Sequence, residues 1–280
     1  SGLTPDAGHN KKYITIPAAP QPKHKRQNGA EYKASRIDIH DYAELLGWWL
    51  SEGWTQIDEE SSCYKVYIAQ DEGVHPRNYK RIEYLLNKIG YKWYYYTRKG
   101  AKVGFGIASK QLALHLKQYG TDCFNKFIPR VLLDAPSSVR YRLYMGLMMG
   151  DGSYTETPTG SAYRYTTTSK RLADDFQELC IRLGTGGVVR LCAPRKNKPH
   201  YLQAYYIGIS LERENALVAK HKDVSVFKKI SYKGYVYCAT MSTGLVYVRR
   251  NGKPMLCGNS EGQPAKGGKT GAKRFANMEY

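Results

Sequence analysis

Two short stretches decide how this chain is read: Leu45-Leu46-Gly47-Trp48-Trp49-Leu50-Ser51-Glu52-Gly53 and Tyr144-Met145-Gly146-Leu147-Met148-Met149-Gly150-Asp151-Gly152. Each carries a small residue, a second small residue four positions on, then an acid and a glycine. Residues four apart share one face of a helix, so Gly47 with Ser51, and Gly146 with Gly150, predict two helices able to approach backbone to backbone. Packed on that face, their C-terminal ends bring Glu52 and Asp151 together. A merely structural protein gains nothing from this. Each carboxylate faces the negative end of its helix dipole, and two close carboxylates push one of the pair towards its protonated form unless a cation lies between them. A divalent ion such as Mg²⁺, which takes hard oxygen ligands, suits the position. The alternative is two unrelated amphipathic helices that end in acid-glycine, and recurrence of the string inside matching repeats argues against it.

The surroundings of the two strings also match. The first helix is expected to begin at Asp41, as its N-cap, and to stop at Gly53. Strand-like runs such as Cys63 to Gln70 follow, then a helix from Pro76 to Lys88 closed by Gly90. Two strands, YKWYYYT and KVGFGIA, flank a tight turn at Lys99-Gly100, and Lys110 to Tyr119 reads as a short helix. The second series starts with a helix from Ser138 to Gly152 and continues with a strand pair across Thr159-Gly160. A helix from Lys170 to Arg182 and strands between Val188 and Ser210 complete it. Both series read helix, strand, strand, helix, strand, strand, helix, a duplication with a period of about a hundred residues. The expected class is α+β, with two pseudo-symmetric αββαββα repeats at 35–125 and 126–225. They lie between an N-terminal arm at 1–34, with one short strand at Tyr13 to Ile16, and strand-rich sequence from 226 onward.

Charge indicates the partner. Among 280 residues, 43 Lys and Arg oppose 24 Asp and Glu, a formal net charge of +19. Such an excess suits the neutralisation of many phosphates better than work on small molecules. The sequence shows no apolar run of membrane-spanning length, and its six cysteines include no CxxC pair, which fits a reducing interior. An intracellular, DNA-associated protein is expected, neither secreted nor membrane-bound. Twenty-five tyrosines interleave with the cations, supplying flat amphipathic surface beside positive charge. The candidate DNA-binding residues of the first repeat are Lys65, Lys92, Tyr94, Tyr96, Arg98, Lys99 and Lys102. Lys92, Tyr94 and Tyr96 alternate on one face of a strand. In the second repeat they are Arg164, Arg190, Arg195, Lys196, Lys198, His200 and Gln203. Such side chains reach base edges or touch phosphate alone. A solvated charged face is the alternative, against which stands the recurrence of these runs at equivalent places.

The paired strings resemble the two motifs of the LAGLIDADG homing endonucleases in their single-chain, two-repeat form, over roughly Ile37 to Ala219. The resemblance implies that the motif helices form the central interface and that two saddle-shaped antiparallel sheets follow the DNA major groove. It makes Glu52 and Asp151 the catalytic ligands of Mg²⁺ or another divalent metal, assisted by the carbonyls of Ser51 and Gly150. Glu52 stands where aspartate is more usual, a departure that allows the two sites to differ in strength. Relatives also use a lysine near the sheet ends, which makes Lys110 and Lys170 candidates here, against the alternative of solvated lysines at helix starts. The implied partner is double-stranded target DNA, bound by a monomer.

From Gly234 to Ser260 the chain resembles the C-terminal end of an intein, the self-splicing Hint domain. Cys238 lies in the motif that carries an Asp or Cys, and Gly258-Asn259-Ser260 matches the terminal glycine-asparagine and the first residue downstream. Asn259 would cyclise onto its own carbonyl to cut the chain, and Ser260 would accept the transferred segment; the alternative is a plain β-hairpin with an Asn-Gly turn at Asn251-Gly252. Gly2 stands where the first nucleophile belongs, and no Thr-x-x-His precedes Asp41. Either the N-terminal half is trimmed or inactivated, or it is a separate intein chain. The segment 260–280 resembles part of the RNA polymerase β subunit and so suggests the host gene, whose intein-free copy would be the target. Two other readings stay open: a catalytically idle, maturase-like binding protein, and the C-terminal half of a split intein.

Overall fold

The computed structural model describes residues 11–19, 33–157, 160–192, 203–210, 231, 233–235 and 245–258. The chain divides into two compact units, Ser1–Ser210 and Leu211–Tyr280. In the first unit, β1 (Tyr13–Ile16) pairs with β2 (Ser35–Asp38), which runs directly into α1 (Ile39–Glu52). The first repeat continues as β3 (Gly53–Asp58), β4 (Cys63–Ala69), α2 (Pro76–Ile89), β5 (Trp93–Arg98), β6 (Ala101–Ala108) and α3 (Lys110–Lys117). After a short α4 (Arg130–Leu133) the order recurs as α5 (Ser137–Asp151), β7 (Gly152–Thr157), β8 (Gly160–Thr167), α6 (Lys170–Arg182), β9 (Gly186–Leu191) and β10 (Tyr205–Ser210). The fold is α+β with two repeats, as expected. The sheets have orders β3-β4-β6-β5 and β7-β8-β10-β9, and every pairing in them is antiparallel. The closing helix of the second repeat lies outside the described residues, as does most of the strand-rich sequence between 226 and 244.

Local chemistry explains the boundaries. Asp38, not Asp41, caps α1: its carboxylate accepts from the backbone N–H of His40 at 2.9 Å and of Asp41 at 3.4 Å. Three residues on, Asp41 has turned with the helix and holds Lys88 at 2.7 Å instead. Gly90 ends α2 in the left-handed conformation, φ 85°. Lys99 and Gly100, both at positive φ, form the tight turn between β5 and β6. Gly53 and Gly152 act differently. Both are extended, and each helix passes straight into a strand there. A Cβ at Gly53 would overlap the Trp49 ring, and one at Gly152 the Met148 carbonyl. Glycine after the acid therefore serves close packing rather than an unusual backbone angle.

The two motif helices pack as their spacing predicts. A Cβ on Gly47 would lie 2.7 Å from the Leu143 carbonyl oxygen, and one on Gly146 would lie 2.6 Å from that of Glu44. Around this seam Leu45, Leu46, Trp48, Trp49, Leu143 and Leu147 are buried in one continuous core. Glu44, buried at the same seam, receives Arg81 of α2 through two bonds of 2.6 Å and Arg142 of α5 at 3.3 Å. One carboxylate thus ties both repeats together. Each sheet lays one face on these helices, for example Val66, Ile68, Phe105 and Ile107 in the first, and alternation turns the other face away. In the second unit, β11 (Leu245–Arg250) and β12 (Lys253–Gly258) form a hairpin across Asn251-Gly252, both at positive φ. Among the described residues no helix is long and apolar enough to cross a membrane.

Candidate active site and nucleic-acid faces

Glu52 and Asp151 end α1 and α5 at the seam where the helices touch. A Cβ on Gly150 would meet Ser51 Cβ at 2.5 Å and Glu52 Cγ at 3.3 Å, so the first acid rests on the backbone of the second motif. Burial raises both carboxyl groups above their usual range. Asp151 is pushed up to about 7 by burial and then by the charge of Glu52, against the pull of Lys126 and a hydrogen bond from Ser51. Glu52 is raised by burial, with Lys126 and His75 opposing. The Ser51 hydroxyl donates to the Leu147 carbonyl at 3.2 Å and lies 3.4 Å from the Tyr165 hydroxyl.

Lys126 is the group that sequence reasoning missed. It is 4% exposed and lies between α3 and α4. Its ammonium donates to the carbonyls of Trp49 at 2.8 Å, Leu50 at 3.1 Å and Gly53 at 2.6 Å. Trp49 and Leu50 lie in the last turn of α1 and Gly53 opens β3; the Trp49 carbonyl also accepts from the Gly53 N–H, and a cation there complements the dipole. Burial lowers Lys126 to about 8 although Asp151, Cys123 and Glu52 pull it upward. Its own carbonyl is held by the Ser169 hydroxyl at 2.7 Å. No local motif marks this residue. From the far side, α2 brings its N-cap His75 within electrostatic reach of Glu52, and Asn78 donates to the Met149 carbonyl at 2.8 Å.

Each of the two lysines suggested by sequence has a contact of its own. Lys110 lies over the Tyr64 ring at 4.8 Å, and Lys170 binds Asp174 on its own helix at 2.6 Å. The lysine whose charge acts on both carboxylates is Lys126.

As a metal site the donor set is lean. Among the described residues no three His, Cys, Asp or Glu side chains converge. Two carboxylates nevertheless fit Mg²⁺, which keeps several waters and is commonly held by one or two carboxylates plus substrate phosphates. The like-charged pair, with Asp151 raised partly by Glu52, has the electrostatics that such an ion relieves.

The outward face of the first sheet carries Trp54, Gln56, Lys65, Tyr67, Tyr94 and Tyr96, as register and alternation require. Lys92 precedes β5 on the same alternation, and Arg98 and Lys99 lead into its exposed turn. Lys102 is turned the other way. Tyr96 pairs with Gly104 but Thr97 pairs with Lys102, so Val103 is an extra residue. Lys102 then lies over the Tyr95 ring at 3.9 Å and near Glu72 at 3.7 Å. In the second sheet Arg164 and Arg190 share a face with Tyr206, whose ring lies 5.2 Å from the Arg164 guanidinium. Gln203 is exposed and donates to the Cys192 and Ala204 carbonyls. Arg195, Lys196, Lys198 and His200 lie outside the described residues, as do Cys238, Asn259 and Ser260.

Several known proteins are similar to parts of this chain. An uncharacterized protein of Methanocaldococcus jannaschii is 29% identical over 177 residues, which is 61% of this chain and 19% of the relative. An ATP-dependent Clp protease proteolytic subunit of Chlamydomonas moewusii is 25% identical over 192 residues, 66% of this chain and 18% of the relative. A DNA-directed RNA polymerase subunit beta C-terminal section of Stigeoclonium helveticum is 24% identical over 87% of this chain and 27% of the relative. The chain thus spans under a third of the length of each. Among solved structures, the homing endonuclease I-DmoI in complex with DNA and Mn is 17% identical, with a TM-score of 0.44 over 62% of this chain and 90% of that one. Residues 143–229, which hold the second acid-glycine string and its sheet, match the family described as LAGLIDADG-like domain.

Proposed function

We propose that this protein is a site-specific endonuclease that hydrolyses both strands of double-stranded DNA with a divalent metal, Mg²⁺ foremost. The observation that carries the reading is the placement of Glu52 and Asp151 at the touching ends of α1 and α5. These two carboxylates would hold the metal, with the Ser51 and Gly150 carbonyls assisting. When bound, the metal makes water nucleophilic and stabilises the leaving oxygen of a phosphodiester. The chain itself would hold the acids at one seam, partly offset their charge through Lys126 and fix the duplex on two basic sheet faces. The DNA contacts would come from Lys65, Lys92, Tyr94, Tyr96, Arg98 and Lys99 in one repeat and Arg164 and Arg190 in the other.

Four relatives with unrelated names match 53–87% of this chain, in 8–27% of their own length. That pattern supports an inserted element, and the similarity to an RNA polymerase β section supports that gene as host. On this reading the insertion is an intein, with Cys238, Asn259 and Ser260 in its splicing end, and the protein acts as an intracellular monomer. The test is cleavage of a plasmid that carries the uninterrupted host gene, in Mg²⁺. Glu52→Gln and Asp151→Asn should each abolish double-strand cleavage and leave DNA affinity within about fivefold, because metal ligation is removed and phosphate contacts are not. Full cleavage by either variant overturns the ligand assignment. Binding without cleavage by the unaltered protein supports the idle, maturase-like reading instead.

A further inference from the structure

We propose that the outward face of the first repeat's sheet is a reader of thymine methyl groups, which gives the target one thymine-rich half. This deepens the DNA-cleaving reading and rests on it. Four rings from three strands meet on that face. Trp54 of β3 stacks on Tyr67 of β4 at 4.9 Å, and Tyr96 of β5 stands edge-on to both, at 5.6 and 5.4 Å. Tyr94 joins edge-on to Tyr67 at 6.4 Å.

The intervening strand makes the assembly feasible. β6 presents Gly104 and Gly106 beneath the rings, and a Cβ on Gly106 would overlap the Tyr94 ring. The glycine-phenylalanine-glycine run of β6 thus makes room for the Tyr94 ring on one face while Phe105 fills the core on the other.

The polar tips of two rings are hydrogen-bonded within the cluster. The Tyr94 hydroxyl donates to the Tyr67 hydroxyl at 3.3 Å, and the Tyr67 hydroxyl donates to Gln56 Oε1 at 3.3 Å. Tyr94, 40% exposed, and the partly exposed Trp54 and Tyr96 are what the cluster offers outward, with Tyr67 buried beneath them. Cations stand near it, Lys65 two residues from Tyr67 on β4 and Lys92 and Arg98 bracketing β5, where they can engage phosphate. In the major groove every base edge displays donors or acceptors, and thymine alone adds a methyl group. An apolar face set against adenine, guanine or cytosine edges would strip their water without replacing it. Rigid rings also lose little side-chain entropy on contact. The second sheet, with Arg164 and Arg190 on its face, has the donors suited to guanine, so the two halves of the target should differ.

The test begins with selection from a pool of randomised duplexes by the full chain, without divalent metal. The winning duplex is then remade with deoxyuridine for thymidine in one half at a time, which deletes methyl groups and preserves every hydrogen bond. One half should be thymine-rich, and deoxyuridine there should weaken binding about fourfold for each methyl fully buried. The same change in the other half should matter less than about twofold. Trp54→Gln with Tyr96→Gln should abolish the difference, whereas Arg164→Gln should keep it. Selected sites without thymine enrichment, or equal affinity for the deoxyuridine duplex, overturn this inference and leave DNA binding intact. Failure to select any duplex overturns both. Because the decisive measurement uses the unaltered protein, it stands even if the double variant fails to fold.

Discussion

Lys126 concentrates the chemistry of the seam in one side chain. It donates to three carbonyls where α1 passes into β3 and places a positive charge beside two buried acids. Lys126→Met keeps the volume and removes the donors, so the three carbonyls lose the buried ammonium. The variant should unfold with about 1–3 kcal/mol less free energy in urea and should cleave DNA more weakly at matched metal concentration. Unchanged stability would remove Lys126 from this role. Asp151 makes a prediction about pH. Its folded-state value near 7 lies above the ordinary 3.8, so between those values the native state holds a proton that the unfolded chain has released. Stability contributed by this group therefore falls as pH rises through that window. In metal-free buffer, Tm of Asp151→Asn should decline less than that of the unaltered protein between about pH 4 and 7. Parallel curves would show that Asp151 is not raised.

The helix pair works because its contact is glycine against backbone. At Gly146 the place of a side chain is filled by the Glu44 carbonyl and the Gly47 Cα. Gly146→Val should separate the helices, lower stability by about 3 kcal/mol as overpacking does, and pull Glu52 from Asp151. Thermal denaturation and cleavage should fall together, and a variant with native Tm would show that the seam has room to spare. The sheets depend on similar detail. One extra residue in β6, Val103, turns Lys102 from the outward face to the helix side. A bulge of this kind re-aims side chains without breaking the sheet.

Across the whole molecule, a net charge of +19 sets the range and salt sensitivity of nucleic-acid attraction. Each phosphate neutralised releases counterion, so affinity should fall linearly with salt on logarithmic axes. Replacing Arg164 and Arg190 together with Gln should flatten that slope by up to about two units. Fluorescence anisotropy at several salt concentrations checks this, and an unaltered slope would place the second sheet's face away from DNA.

Most of the order of the described elements, the duplication and the meeting of two acids at the helix ends were legible in the sequence, because they rest on local rules; β2 and the short α4 were not. Small residues four apart mark a helix contact, tight turns mark hairpins, and an acid-glycine ending recurs. Asp38 was missed as the cap of α1 because Asp38 and Asp41 both precede helical periodicity, and backbone geometry alone separates them. Lys126 was illegible for a deeper reason. It sits between α3 and α4 in no motif, more than seventy residues from the carbonyls it binds. The four-ring cluster likewise depends on strand neighbours from β3, β4 and β5 meeting over the glycines of β6. Periodicity along the chain assigns a residue to a face. Which groups share that face, and which buried cation meets which acid, follows from packing between distant segments.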